Sequence, residues 1–158
     1  MKIITQSPNQ TKKTGEILAK EILKMPKKES AFVLGLEGDL GGGKTTFLQG
    51  FAKGLEIKEK ILSPTFVILK KFEIRNPKSE TNFKSQVPKF KNFYHIDCYR
   101  IQKPREILDL GFEKMISTPE NIVAIEWAGR IRKNIPRDAF WLKFEFLNQK
   151  PRKIKITS

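Results

Sequence analysis

The chain has 158 residues, enough for one domain with its own core and too few for two independent catalytic domains. Hydrophobic residues make up 39% and charged residues 30%, a globular balance that excludes a disordered tail. The formal net charge of +14 suits polyanionic partners (a nucleotide, a nucleic acid or an acidic protein) without choosing among them. No apolar run approaches the ~20 residues of a spanning helix, and no apolar block of signal-peptide length opens the chain. Cys98 and His95, the single cysteine and histidine, form neither an internal disulfide nor a zinc cluster. The expected location is cytoplasmic, with no membrane partner.

In chain order, Ile17, Leu18, Ile22 and Leu23 have amphipathic spacing and predict a helix over Thr14 to Met25, stopped by Pro26. Ala31 to Leu36 is a short apolar run that reads as a buried strand. A glycine cluster, Gly38 to Gly43, follows, and Phe47, Leu48, Phe51 and Leu55 then predict a helix over Lys44 to Leu55. Thr65 to Ile74 reads as a strand. Arg75 to Asn92 holds Pro77 and Pro88 among polar residues and reads as a long loop or ragged hairpin. Between Lys70 and Lys91 seven basic residues face two acidic ones. Asn92 to Asp97 resumes as a strand, Pro104 to Ile116 as a helix broken at Gly111, and Asn121 to Trp127 as a strand. Phe140 to Leu147 and Ile154 to Thr157 predict a closing hairpin around a basic turn. No internal repeat is present.

Gly38-Asp39-Leu40-Gly41-Gly42-Gly43-Lys44-Thr45 matches G-x-x-x-x-G-K-[ST], between an apolar strand and a helix as that motif requires. Glycines let the backbone N–H groups turn inward and cradle phosphates without Cβ clashes. The following helix points its positive end at the same anion. Lys44 is then expected to reach the β- and γ-phosphates, and Thr45 to offer its hydroxyl to Mg²⁺. The expected architecture is α/β: a single P-loop NTPase-like domain over residues 1–158, with a mostly parallel central sheet flanked by helices. A C-terminal β-hairpin and a basic insertion at about 75–92 complete it.

A phosphate loop also needs an acid for the metal. Ile122 to Ile125 lead into Glu126, and Phe93 to Ile96 lead into Asp97. At the carboxyl ends of parallel strands both acids would emerge near the loop, although either could be a strand-end cap or an ion-pair partner. His95 could tune Asp97, act as a base, or be a structural histidine. Trp127 could pack in the core or at the rim, form a lid beside the nucleotide, or contact a partner. Cys98 reads as a small buried side chain. Ser63-Pro64-Thr65-Phe66 could be a plain turn or a loop that senses the γ-phosphate.

Gly38 to Thr46, Ser63 to Phe66, His95-Ile96-Asp97-Cys98-Tyr99-Arg100 and Glu126-Trp127 together resemble the TsaE family, also called YjeE, in order and spacing, from about Thr14 to the C-terminus. The resemblance implies a small bacterial P-loop ATPase with ATP and Mg²⁺ as its ligands. The family is required for making N6-threonylcarbamoyladenosine in tRNAs that read codons starting with A. It implies two partners, TsaD, which carries out the transfer, and TsaB, which pairs with TsaD. ATP turnover would act on that pair, so tRNA is met indirectly, and direct tRNA contact stays open. By motif, Asp39, Gly41, Gly42, Gly43, Lys44, Thr45 and Thr46 would hold the phosphates, and Thr45, Glu126 and Asp97 would serve the metal. Asp97, Glu126 and Lys44 would be the catalytic groups. Thr65 would belong to the switch-like loop, Trp127 would lie beside the nucleotide, and Thr11, Thr14 and Arg152 would lie near the adenine. Two departures stand out: Ala128 follows Glu126-Trp127 where the family usually has proline, and the basic insertion is long.

A stand-alone small-molecule kinase is the alternative, with Arg130, Arg132 and Arg137 as a weak lid. A GTPase would need an N-K-x-D stretch, which the sequence does not contain. A basic RNA-binding module would need aromatic-interleaved motifs, which are equally missing.

Overall fold

The structure is a computed structural model that describes residues 1–62, 68–74, 89–147 and 151–157. Its strands are β1 (Lys2–Thr5), β2 (Phe32–Gly38), β3 (Leu69–Glu73), β4 (Asn92–Asp97), β5 (Asn121–Glu126), β6 (Phe140–Phe146) and β7 (Arg152–Thr157). They form one sheet in the order β1-β7-β6-β2-β5-β4-β3. The four central strands, β6-β2-β5-β4, run parallel. Antiparallel pairs finish both sides: β3 on β4, and β7 between β6 and β1. The α/β sheet and the C-terminal hairpin are therefore present, with the parallel part confined to the centre. Strands covered on both faces need apolar side chains on both. All six residues of β5 and the first five of β2 are buried, as that requires.

Helices α1 (Pro8–Lys24) and α2 (Lys44–Gly54) cover one face. Phe47, Leu48 and Phe51 of α2 pack there with Leu34, Phe93 and Phe144 of the sheet. The other face is covered by α3 (Arg105–Leu108), α4 (Phe112–Ser117) and a 3₁₀ segment, Ala128–Asn134, kinked at Ile131. Val33, Ile96, Val123 and Ile125 meet Ile107, Phe112 and Ile131 on that side. Helices α1 and α2 touch backbone to backbone: a methyl group on Gly50 would run into the Lys12 carbonyl, and one on Gly15 into that of Phe47. This contact pins α2, whose first turn follows the glycine loop.

The departures from the sequence reading have local reasons. Helix α1 starts six residues before Thr14, because Ser7 caps it (its Oγ accepts from Gln10 N at 3.2 Å) and Pro8 takes the first helical position. Strand β1 was not expected; four residues carry too little alternation, and its pairing with β7 supplies the stability. The 104–116 helix is split into α3 and α4 by Gly111 at φ +76°. Of the strand expected over 65–74, β3 occupies the second half; residues 63–67 lie outside the described residues, as do 75–88 of the insertion and 148–150 of the basic turn. Among the described residues no helix is long and apolar enough to cross a membrane.

Candidate functional site

Strand β2 leads into the glycine loop, where Gly38, Gly41 and Gly43 have φ of +132°, +74° and +98°. L side chains rarely adopt these conformations, and a Cβ on Gly38 would also meet the Phe144 carbonyl on β6. Gly43 opens α2 without a side-chain cap, so the first N–H groups of the helix have no side-chain partner there. Lys44, Thr45 and Thr46 form its first turn. Lys44 Nζ donates to the carbonyls of Gly38 (2.7 Å) and Asp39 (2.8 Å) and lies 4.2 Å from the Trp127 ring centroid, a cation–π distance. Burial pushes the Lys44 ammonium pKa down, against the carboxylates of Glu126, Asp97 and Asp39.

The parallel register of β4 and β5 places Asp97 directly beside Glu126. The two expected acids therefore emerge together at the strand ends, on the face that carries α2. Both oxygens of Glu126 are 3.0 Å from Thr45 Oγ1. Asp97 Oδ1 accepts from Tyr99 N at 2.9 Å. Burial pushes the Asp97 pKa up, and the Glu126 charge adds to that; the Tyr99 N–H, His95 and Lys44 oppose it. The short bond of His95 goes to Glu126, Nε2 to Oε1 at 2.8 Å, rather than to Asp97, which it affects only through space.

A hydroxyl beside carboxylate oxygens is a hard donor set that fits Mg²⁺. Among the described residues no cluster of three His, Cys, Asp or Glu side chains forms a cage for a metal. Mg²⁺ is usually held by one or two carboxylates together with substrate phosphates and water.

Around this centre the other expected residues divide. Trp127, at φ +58°, lies against Tyr99 (5.0 Å between centroids, rings tilted by 50°) with its face on Lys44, so it covers the loop lysine. Ala128, at the family's proline position, is fully buried. Thr11 is buried and shares a 2.8 Å hydrogen bond with Thr5; its methyl would lie 3.7 Å from a Cβ on Gly43, so the first turn of α1 abuts the loop. Arg152 stacks on Phe146 at 4.4 Å, and the Phe146 ring edge would lie 3.8 Å from a Cβ on Gly41. Phe146 was missed in the sequence, where it reads as one more alternating residue of a hairpin strand. Thr14 donates to the Gln10 carbonyl within its own helix. Ser63 to Phe66, and Thr65 with them, lie outside the described residues. Of the suggested lid, Arg132 is bound to Glu37 (2.7 Å) and stacked on Trp141, and Arg130 donates to the Ile101 carbonyl. Cys98 is buried, and burial raises its thiol to about 12, so it is no nucleophile.

The family model described as "Threonylcarbamoyl adenosine biosynthesis protein TsaE" matches residues 5–154. Three curated relatives carry the name tRNA threonylcarbamoyladenosine biosynthesis protein TsaE. The one from Nostoc sp. is 41% identical over 102 residues, covering 63% of this chain and 54% of that protein. The one from Bacillus subtilis is 34% identical over 126 residues, covering 80% and 69%. The one from Treponema pallidum is 26% identical over 156 residues, covering 99% of each. The match thus spans about half the length of the Nostoc relative. Among solved structures, that of Bacillus subtilis YdiB superposes with a TM-score of 0.72 at 28% identity, covering all of this chain and 84% of that one.

Proposed function

The chain belongs to the TsaE family, and on that premise we propose that it binds Mg·ATP at the Gly38 to Thr46 loop and hydrolyses it in support of tRNA N6-threonylcarbamoyladenosine synthesis, acting on the TsaD–TsaB pair. One observation carries the reading: Thr45, Glu126 and Asp97, far apart in sequence, converge at the N-terminus of the helix that follows the glycine loop.

Each residue has a role in that scheme. Gly41, Gly42 and Gly43, with Asp39 and Thr46 beside them, shape the phosphate cradle. Lys44 Nζ, held by the Gly38 and Asp39 carbonyls at the mouth of the loop, would exchange them for phosphate oxygens. Thr45 and Glu126, with Asp97, would hold the cation, which when bound would neutralise charge developing on the transferred phosphoryl group. Asp97, next to Glu126, would orient the attacking water. Trp127 excludes water above Lys44. Thr11, Arg152 and Phe146 border the loop where the nucleoside continues, with Thr14 one turn further along α1. Thr65 belongs to the loop that would respond to the γ-phosphate.

Hydrolysis by the protein alone is expected to be slow. An arginine finger contributes ~10³–10⁵ in rate, and Arg130 and Arg132 are committed to the Ile101 carbonyl and to Glu37. A partner surface is the expected source of the missing charge. The same contacts engage two of the three arginines, Arg130, Arg132 and Arg137, that the stand-alone kinase reading needs as a lid.

The test is phosphate release from Mg·ATP, alone and with TsaD and TsaB added. Strong stimulation by the pair is expected. Turnover that ignores the pair and appears only with small-molecule acceptors would overturn the reading in favour of a kinase. Loss of the gene is expected to deplete threonylcarbamoyladenosine from bulk tRNA.

A further inference from the structure

Glu126 is held by a side chain that takes no part in the scheme above. His95 on β4 and Glu126 on β5 have 1% and 3% of their side chains exposed. Ala124 is the register partner of His95, so Glu126 lies two residues further along β5, on the same face of the sheet. His95 Nε2 stands 2.8 Å from Glu126 Oε1, and Thr45 Oγ1 stands 3.0 Å from both carboxylate oxygens. The Thr45 hydroxyl has one proton, so it satisfies one oxygen at a time and leaves the carboxylate free to rock between two equal contacts. The imidazole breaks that symmetry. An ionised carboxylate only accepts, so the ring nitrogen facing one is the donor, and burial strengthens such a bond.

We propose that His95 is a positioning residue for Glu126: its Nε2–H fixes Oε1, so the carboxylate meets a divalent cation arriving with the nucleotide already turned toward Thr45. This rests on the nucleotide-site reading above and extends it by one residue. His95 touches neither nucleotide nor metal; it acts through Glu126, as outer-shell partners of metal ligands do. The competing account is a histidine that only fills space between α2 and the sheet.

The test uses the full chain, ADP and Mg²⁺, and reads by calorimetry the ratio of ADP affinity with Mg²⁺ to that without. His95→Leu removes the N–H and keeps the bulk; His95→Gln returns an N–H donor at about the same reach. His95→Leu is expected to require ~10–100-fold more Mg²⁺ for the same gain in affinity, and His95→Gln only a few-fold more. In a Glu126→Gln background the His95→Leu change is expected to add nothing, because the group it acts through is gone. An unchanged Mg²⁺ requirement in His95→Leu, equal losses in the Leu and Gln variants, or full additivity with Glu126→Gln would each overturn the proposal.

A second measurement stands apart from folding of the variants and from nucleotide binding. His95 is the one histidine in the chain, so its ring nitrogens give a single pair of NMR signals in the metal-free wild-type protein. A protonated Nε2 is expected; an unprotonated Nε2 beside a protonated Nδ1 would overturn the proposal. If the wild-type chain bound no ADP at all, the nucleotide-site reading would fall, and the ring-nitrogen result would still decide the His95–Glu126 bond.

Discussion

Two sets of carboxylates lie in the same lysine-rich chain and end in opposite states. On the hairpin, Glu145 of β6 sits among Lys143 (3.5 Å), Lys153 (3.1 Å) and Lys155 (3.1 Å), and hydrogen bonds from Lys155 and Lys153 bring its pKa down from 4.5 to about 2. Glu16 on α1 is held to about 2 by Lys20 first, with Lys13 and Lys53 behind it. At the sheet centre Asp97 goes the other way: burial and the neighbouring Glu126 charge raise its pKa, although Lys44 is close. The net charge of +14 therefore says little about the site. Lysines neutralise acids where flexible stems and water reach them. At the strand ends the Lys44 ammonium is bound to backbone carbonyls and shielded by Trp127. A buried acid whose pKa is raised by burial and by a neighbouring charge is a functional-site candidate.

The largest expected effect separates the site from general surface charge. Lys44→Ala should lower ATP affinity by about 100-fold or more, as loss of a buried charge-assisted contact to phosphate does, while changes to the hairpin lysines leave it alone. Full ATP affinity in Lys44→Ala, read by calorimetry, would erase the distinction. Next comes the scaffold under the site. Gly50→Ala pushes a methyl group into the Lys12 carbonyl and should cost ~1–3 kcal/mol in urea unfolding. An unchanged midpoint would mean that α2 is free to shift and that the site is less pre-organised than its contacts imply.

The pH response sharpens the contrast between the acids. Glu16 and Glu145 have lowered folded-state pKa values, so their stabilisation is present above pH 4.5 and is lost as pH falls from there toward about 2. Asp97 has a raised folded-state pKa, so the folded chain keeps a proton that the unfolded chain gives up near pH 3.8, and stability falls as pH rises past that point. Asp97→Asn should therefore raise the thermal midpoint at neutral pH and deepen the fall on acidification, even as it impairs hydrolysis. A lower midpoint at neutral pH would show that Asp97 contributes to stability after all. The smallest effect belongs to Glu145→Gln: a slight, salt-sensitive loss at neutral pH and a shallower acid limb. A large, salt-independent loss would place Glu145 with the buried acids instead.

Much of the site was legible in the sequence because its signals are local. The glycine spacing, the apolar run before it and the helical spacing after it specify the loop within 24 residues, from Ala31 to Gly54. Asp97 and Glu126 each end a strand that the sequence outlines correctly, and a parallel arrangement is enough to bring them together. The partner of His95 was not legible. The sequence puts His95 two residues from Asp97, yet on a strand that separation spans nearly 7 Å along one face, and the diagonal neighbour on β5 is closer to its ring. The partner of Arg132 was hidden for a similar reason: its ion pair with Glu37 crosses 95 residues.

The sequence by itself determined the elements that carry their own period, turn or cap: the glycine loop, both of its flanking elements, the acid-ended strands and the break at Gly111. Only the tertiary structure decided what depends on pairing. It set the strand order, the docking of β1 on β7 where Met1 N bonds the Ile156 carbonyl across 155 residues, and the approach of α1 to the loop through Gly15 and Gly50. The physical reason is that periodicity and turn chemistry are written within a few residues, whereas a strand edge or a buried imidazole takes whichever partner the finished sheet leaves within reach.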